Sequence, residues 1–216
     1  MRDNIKGLCW TAYMDLKRNI ALKASLAAVA VSYAALMMLG REKIEESVWT
    51  AYAVCSILMA LSLPLVYYAR FSDKNRKIVQ SVVQTKTVSG ILYGLLFDLS
   101  AAGVFSIAYL CMSLAAGAFL TGKAVSACLI VSVCLGIVIY ILLCHVCFEV
   151  AQKYVMGLVA YLILVIGLLI SNHVFIGVLC PFEYHLYGAY YVLGKFSEII
   201  VLAALNAGIF VRRRMK

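Results

Sequence analysis

The chain has 216 residues, of which 65% are hydrophobic and only 13% are charged. A soluble domain carries roughly 25% charged and 45–50% apolar residues, so this composition excludes a water-soluble globule. The formal charge of +9 would suit a nucleic-acid partner, but the placement of the basic residues favours a membrane surface with anionic headgroups. Most of the eight cysteines lie in apolar stretches, where cysteine acts as a small hydrophobe, so no disulfide framework is expected.

Residues 1–20 predict an amphipathic helix that lies in the membrane interface. Apolar residues recur there at steps of three and four, at Ile5, Leu8, Cys9, Ala12, Tyr13, Leu16 and Ile20. Trp10 and Tyr13 are available as anchors at the level of the headgroups. Arg2, Asp3 and Lys6 interrupt any apolar signal region, so we expect this segment to be retained in the cytosol. The simpler interpretation is a polar leader before the first span.

Six later stretches are long and apolar enough to cross a bilayer, which takes roughly 20 residues per helix. They are residues 21–39, 48–69, 91–120, 124–148, 154–171 and 192–211. Backbone polar groups inside lipid must be satisfied within each helix. The predicted fold is therefore an all-α polytopic membrane protein with six transmembrane helices, in which residues 1–216 form a single transmembrane domain.

The distribution of Lys and Arg predicts the orientation, because cytoplasmic loops carry the excess of both. With the N-terminus in the cytosol, all but four of the 19 Lys and Arg residues fall on the inner side. The four on the outer side are Arg41, Lys43, Lys123 and Lys195. We therefore expect a multi-pass membrane protein with both termini in the cytoplasm.

Residues 70–89 form the longest predicted cytosolic loop. Asp73 suits a helix start, and Ile78 and Val82 give the short helix that follows an apolar edge. Such a helix suits docking onto a partner protein, whereas a solvated basic loop that serves only topology is the alternative. A second cytosolic turn is predicted at Glu149–Lys153. On the outer side, residues 172–191 are rich in tyrosine and predict a re-entrant or interfacial segment.

Asp98 is the most informative ionisable residue in the predicted spans, since a carboxylate in lipid is costly and usually has a partner. It either lines a cavity or bonds the inner helices, or else it is shallow and reaches the interface. His145 and Glu149 lie four residues apart on one helical face, which suits a metal, a proton relay or a hydrogen-bonded helix end. Lys195 and Glu198, three apart, are expected to neutralise each other.

Other candidates concern packing. Pro64 predicts a kink in the second span, and Gly90 and Gly94 allow close helix packing. Cys144 and Cys147 form a C-x-x-C pair without further ligands, so no metal site is expected. The sequence from Gly117 to Lys123 approaches a phosphate-loop pattern, but Ala124 stands where the magnesium-binding hydroxyl is needed. We expect no catalytic residue, no bound cofactor and no enzymatic activity in this chain.

The layout resembles the permease subunit of type-2 ABC exporters. The shared features are a leading amphipathic helix, six spans with both ends inside, a helical loop between spans two and three, and interfacial helices before span six. The stretch from Ser81 to Gly94 (SVVQTKTVSGILYG) is similar to the family's segment that runs from the coupling helix into the third span. Among such permeases, the short chain is most similar to exporters of amphipathic peptide toxins and bacteriocins, including phenol-soluble-modulin exporters.

The resemblance implies that ATP and Mg²⁺ bind to separate cytosolic ATP-binding cassette subunits. It implies a second permease copy, identical or not, and an amphipathic peptide as cargo, with lipid or drug as the alternatives. The residues that would dock the ATPase are Asp73, Lys74, Arg76, Lys77, Ile78, Val82, Glu149 and Lys153. The candidates for pathway and packing are Asp98, Pro64, Gly90 and Gly94.

The main alternative is the substrate-binding membrane subunit of a vitamin importer of the energy-coupling-factor type. Alanines four residues apart in the first span, Ala24 with Ala28 and Ala30 with Ala34, resemble the small-residue motifs by which such subunits dock. The amphipathic leader and the basic loop at residues 70–86 favour the exporter.

Overall fold

The computed structural model describes residues 2–20, 61, 63–67, 87–116, 127–170 and 184–214, with scattered positions between 22 and 34. Within that part of the chain all residues are helical except Asn19 and the turn residues Gln152 and Lys153. Five helices are defined: α1 (Arg2–Arg18), α2 (Thr87–Ala116), α3 (Ala127–Ala151), α4 (Tyr154–Ile170) and α5 (Tyr184–Arg214).

Three of these helices contain windows long and apolar enough to cross a membrane: Gly90–Ala108 in α2, Cys134–Ala151 in α3 and Leu193–Arg212 in α5. Their mean hydropathies are 1.8, 2.3 and 1.6. Helix α4 is apolar but shorter, with Tyr154–Gly167 as its apolar part. The described helices are thus those of a membrane protein, while most of the first two predicted spans lies outside the described residues.

Helix α3 is the central element of the described bundle. It packs against α2, α4 and α5, whereas α1 packs against α2. Of its membrane-length window, 61% is buried, compared with 39% for α2 and 11% for α5.

Asn19 ends α1 and begins the helical segment that follows. Its backbone N–H donates to the carbonyl of Leu16 (3.1 Å), and its side-chain oxygen accepts from the N–H of Leu22 (3.1 Å). This is the geometry of an N-cap residue. The Asn19 amide nitrogen also donates to the carbonyl of Val66 at 2.8 Å. One buried side chain therefore caps a helix and ties it to the segment at residues 63–67.

Helix α1 has a buried face and an exposed face. Ala12 and Leu16 are buried in the common core, and Asp15 accepts a hydrogen bond from the hydroxyl of Tyr93 on α2. Trp10 and Tyr13 remain exposed, with their ring centroids 5.7 Å apart. The apolar positions predicted as one stripe are therefore divided, since some pack on α2 while Tyr13 is left outside.

Tyr67 is the centre of an aromatic cluster that joins the helices. Its ring stacks on Phe148 of α3, with centroids 5.7 Å apart, and meets Phe97 of α2 edge-on at 5.9 Å. Phe148 in turn lies 5.3 Å from the ring of Tyr154, the first residue of α4. Tyr67 is fully buried, so the end of the second apolar stretch is embedded between α2 and α3.

The turn between α3 and α4 is tight. Gln152 has a positive φ of 59° and donates its N–H to the carbonyl of Phe148 at 3.0 Å. A left-handed residue with this bond is a common way to end a helix. Gly157 then lies directly on Phe148, where a Cβ would come within 2.6 Å of the Phe148 ring. Only glycine fits this approach without a shift of the neighbouring ring.

Two helix boundaries differ from those expected from the sequence. Glu149 was expected in the cytosolic turn, but it lies in the last turn of α3, and only Gln152 and Lys153 separate the two helices. Helix α5 begins at Tyr184 rather than 192, so residues 184–191 of the predicted external segment continue into the last helix. Residues 172–183 of that segment and the loop at 70–86 lie outside the described residues.

Candidate functional site

Asp98 occupies the middle of the bundle and has two partners from different parts of the chain. The hydroxyl of Tyr67 donates to Oδ1 of Asp98 at 2.6 Å. The second oxygen, Oδ2, is hydrogen bonded to Nδ1 of His145 on α3. When Asp98 is ionised it only accepts hydrogen bonds, so in that state Nδ1 of His145 is the donor of this pair. Asp98 is 1% exposed, and these two bonds join α2 to α3 and to the segment at residues 63–67.

His145 connects Asp98 to a second carboxyl group. Its other ring nitrogen, Nε2, lies 3.4 Å from Oε1 of Glu149, one helical turn further along α3. The side chains of His145 and Glu149 are 6% and 10% exposed. The result is a buried series of carboxyl, imidazole and carboxyl groups, which we call the Asp98–His145–Glu149 cluster.

The aromatic residues fix the cluster in place. The Tyr67 ring lies 5.8 Å from the His145 ring at an interplanar angle of 32°. The Tyr67 hydroxyl is also within 3.3 Å of the carbonyl of Ile141, one turn before His145. Removing one partner from a buried, hydrogen-bonded charge pair costs about 3–5 kcal/mol, so the cluster links the second stretch, α2 and α3 strongly.

A narrow crevice between α2, α3 and α5 leads to the cluster. Gly90, Gly94, His145, Asn206 and Phe210 are among its lining residues. Asn206 donates from Nδ2 to the carbonyl of Leu142 at 3.2 Å, which joins α5 to α3. Its Oδ1 is buried and has no hydrogen-bond partner among the described residues. A buried carbonyl oxygen of this kind is a site for a donor such as water.

A second polar pair lies nearer the other end of α5. Lys195 is fully buried, and its charge acts on Glu198, three residues later on the same helix. Oε2 of Glu198 is buried without a hydrogen-bond partner among the described residues. The mutual neutralisation of Lys195 and Glu198 stays a prediction, and the pair is separated by more than two turns of α5 from Asn206.

The predicted docking residues fall largely outside the described part of the chain. Those outside it are Asp73, Lys74, Arg76, Lys77, Ile78 and Val82. Of the remaining two, Lys153 is exposed in the turn between α3 and α4, whereas Glu149 is 8% exposed and faces His145. A role for Glu149 in docking stays a prediction, and its position assigns it first to the buried cluster.

Two of the packing candidates lie beside the cluster, and the third, Pro64, is bonded to α4. Gly90 and Gly94 line the crevice beside His145. Pro64 is buried, and its carbonyl accepts a hydrogen bond from the Tyr154 hydroxyl at 3.4 Å. The structure therefore brings His145 of α3 next to Asp98, Gly90 and Gly94 of α2.

Within the described ranges, no group of three or more His, Cys, Asp or Glu side chains is arranged to hold a metal ion. In the Asp98–His145–Glu149 cluster the two carboxyl groups bind opposite nitrogens of one imidazole ring. They therefore flank the ring and do not converge on a common point. Cys144 and Cys147 are both buried free thiols.

Sequence reasoning missed three contributors to the site: Tyr67, Asn206 and Asn19. Each is a polar side chain inside or directly beside an apolar run, and such groups need a partner in lipid. That signal was sufficient to mark them as candidates. Asn19 additionally stands before an apolar helical stretch, where Asn is a preferred N-cap.

Comparison with known proteins adds no assignment. No protein-family model, no curated protein and no solved structure matches the chain at a significant level.

Proposed function

We propose that this chain is the transmembrane permease subunit of an ABC exporter for amphipathic peptides, driven by a separate ATPase subunit. The chain spans the membrane six times in this proposal, with both termini in the cytoplasm. Helix α1 lies in the inner interface, with Trp10 and Tyr13 toward the headgroups. Two copies form the translocation pathway at their interface.

The observation that carries the proposal is the anchoring of both ends of the predicted docking loop. On one side, Val66 accepts from Asn19 at the end of α1, and Pro64 accepts from Tyr154 at the start of α4. On the other side, α2 begins at Thr87, and its Tyr93 bonds to Asp15 of α1. A force applied to the loop at 70–86 therefore reaches α1, α2 and α4 through direct hydrogen bonds.

The side-chain pattern of α1 supports its proposed place. Trp10 is 64% exposed and Tyr13 is 51% exposed, and Lys6 and Lys17 are exposed on the same helix. Exposed aromatic rings flanked by lysines are typical of helices that lie in an anionic interface. Helix α1 then lies next to the ATPase and is tied to α2, so it transmits movement as well as anchoring the chain.

In mechanical terms, the ATPase pair closes on ATP and draws the docking loops together. The transporter responds only if the ATP-bound partner contacts the two conformations differently. Because α3 is packed on three sides, while α5 leaves most of its membrane window unburied, the described bundle suits movement of whole helices against a firm centre.

The decisive experiment is reconstitution with the cognate ATPase in vesicles. We expect ATP-dependent peptide transport with both components and no ATP turnover by this chain alone. The double charge reversal Arg76→Glu with Lys77→Glu should abolish the stimulation of the ATPase by the permease. The matched control reverses two basic residues predicted on the other side, Arg41→Glu with Lys43→Glu, and should keep stimulation.

Three outcomes would contradict the proposal. One is ATP turnover by the isolated chain, and another is equal stimulation in both charge-reversal variants. The third is tight retention of a vitamin through purification, which would favour an importer subunit. Topology is tested separately with Cys9, an exposed free thiol on α1. In a variant in which the other cysteines are replaced and Cys9 is kept, Cys9 should react with an impermeant reagent only after the cells are opened.

A further inference from the structure

We propose that one exposed face of α1, formed by Lys6, Trp10, Tyr13 and Lys17, binds anionic phospholipids in preference to zwitterionic ones. We call these four residues the α1 lipid face. The proposal rests on the place of α1 in the proposed function, at the inner membrane interface, and adds the headgroup charge that the helix selects. It depends on no ATPase and on no peptide cargo.

The four residues share one side of the helix. They follow one another at steps of four, three and four residues, and this spacing keeps side chains on a common face of an α-helix. All four are exposed. Ala12 and Leu16, on the neighbouring side of α1, are buried in the core of the bundle. The α1 lipid face is therefore turned away from that core.

The middle of the face is aromatic. Trp10 is 64% exposed and Tyr13 is 51% exposed, and their rings are tilted against each other at 39°. With Lys6 they line an open groove on the surface of α1. Rings with an apolar body and one polar tip are favoured where headgroups meet acyl chains. The groove therefore suits the glycerol region of a lipid.

A lysine stands one helical turn beyond each ring. Lys6 precedes Trp10 by four residues, and Lys17 follows Tyr13 by four. At about 1.5 Å per residue the two lysine positions are about 16 Å apart along the axis, too far to share one phosphate. A lysine stem can lie along apolar surface while its ammonium group reaches the headgroups. The face is thus matched to two or more lipids.

The sign of the charge selects the lipid. Asp15 of α1 is bonded to the hydroxyl of Tyr93 on α2, so its carboxyl group is directed to the bundle and not onto the α1 lipid face. The charged side chains that the structure describes on this face are therefore both positive. Basic groups beside a membrane are attracted to anionic headgroups over about one screening length. Charge complementarity thus points to an anionic phospholipid as the occupant.

The test uses the purified full-length protein in lipid nanodiscs. The chain has two tryptophans, so Trp49→Phe leaves Trp10 as the only one. Its fluorescence is quenched by brominated acyl chains that lie next to the ring. Every nanodisc contains equal amounts of phosphatidylglycerol and phosphatidylcholine, and only one of the two is brominated. The surface charge is then the same in both samples, and the quenching reports which lipid adjoins Trp10.

We expect brominated phosphatidylglycerol to quench more strongly. The apparent association constant should be higher than that of brominated phosphatidylcholine by about fivefold, the effect of one lysine near an anionic surface. The difference should shrink when the salt concentration rises from about 0.05 M to about 0.5 M, because exposed charges are then screened. The double variant Lys6→Gln with Lys17→Gln should remove the preference and keep quenching by both lipids.

The matched control removes two positive charges from the same predicted side of the membrane. Lys153, in the turn between α3 and α4, and Arg212, on α5, are both exposed. Lys153→Gln with Arg212→Gln should keep the lipid preference. The two double variants have the same net charge, so a difference between them reports the position of the lysines. Retained helicity and a single gel-filtration peak show that each variant is folded.

Three results would overturn the proposal. They are equal quenching by the two brominated lipids in the parent, equal loss of preference in both double variants, and quenching by neither lipid. The last would place the face against water or protein and would also remove the proposed interfacial place of α1. The first two leave the export function untouched. Conversely, absent stimulation of the ATPase together with a retained lipid preference would count against export alone.

Discussion

Helices α3 and α5 show how two membrane-length segments of similar composition take different places in a bundle. The window of α3 is 61% buried and that of α5 is 11% buried, although both are apolar enough to cross a membrane. The polar residues His145 and Glu149 on α3 bond within the centre of the bundle. On α5, by contrast, Leu193, Phe196 and Ile200 are exposed. Hydropathy thus identifies both as spans, and only packing distinguishes the centre from the edge.

The difference also concerns what each helix does. Helix α3 contacts three other described helices, whereas only 11% of the α5 window is buried by the described residues. We therefore expect substitutions on α3 to act on the stability of the single chain. Substitutions on the exposed face of α5 should act weakly, unless another chain covers that face.

The largest effect is expected for His145→Ala. The variant leaves Asp98 buried with only the Tyr67 hydroxyl and removes the link to Glu149. The free energy of unfolding in detergent should fall by about 3–5 kcal/mol, as for other broken buried pairs. Val150→Ala, at an exposed position of the same helix, is the control and should change little. If His145→Ala lowered the free energy of unfolding by no more than Val150→Ala does, the cluster would not hold α2 and α3 together.

The same substitution on the two helices tests the comparison directly. Ile141 on α3 is 1% exposed, and Ile200 on α5 is 68% exposed. Ile141→Ala should lower the free energy of unfolding by about 2–5 kcal/mol through loss of buried contacts and a cavity. Ile200→Ala should stay within about 0.5 kcal/mol of the parent. If Ile200→Ala had a large effect that was seen only when the protein is oligomeric, this face would lie in a subunit interface.

Replacing either of two glycines of α4 by alanine should change the free energy of unfolding by an intermediate amount, with opposite signs at the two positions. A Cβ on Gly157 would come within 2.6 Å of the Phe148 ring, whereas one on Gly167 meets nothing within 4 Å. Gly157→Ala should destabilise by about 1–3 kcal/mol through overpacking. Gly167→Ala should stabilise by up to about 1 kcal/mol, the helix preference of Ala over Gly. Thermal unfolding checks both, and equal shifts would refute the close packing of α4 on α3.

The smallest effect is expected at the turn after α3. Gln152 has a φ of 59°, and a left-handed conformation costs an L-residue about 1–2 kcal/mol that glycine avoids. Gln152→Gly should therefore raise the unfolding midpoint slightly, by up to about 1 kcal/mol of free energy. Ala204→Gly, at an exposed position within α5, is the control and should lower it by a similar amount. A decrease for Gln152→Gly would mean that its side-chain contacts outweigh the backbone strain.

Much of the local structure was predictable because it depends on neighbours along the chain. The helices α2, α3, α4 and α5 were expected from unbroken apolar runs, and their observed limits differ by a few residues at most ends. The proximity of His145 to Glu149 followed from their spacing of four in a helix. The end of α1 at Asn19 was also open to prediction, since the capping preference of Asn is local.

The candidate site was only partly predictable. Asp98 was identified as a costly group in need of a partner, but its partners are 31 and 47 residues away in the sequence. No spacing rule connects residues on separate helices, because their relative rotation and depth are decided by packing. Tyr67 and Asn206 stand out as polar residues inside apolar runs, but their partners could not be predicted for the same reason.

The sequence by itself determined that long apolar helices form, since the burial of apolar side chains and the internal bonding of the backbone are properties of each segment alone. The tertiary structure decided which helix is central and which polar groups meet. It placed Asp98 against His145 and Tyr67, and it turned Glu149 inward. The physical reason is that a buried polar group can be stable on many helix faces, and only the packing of several helices selects the one that supplies its partner.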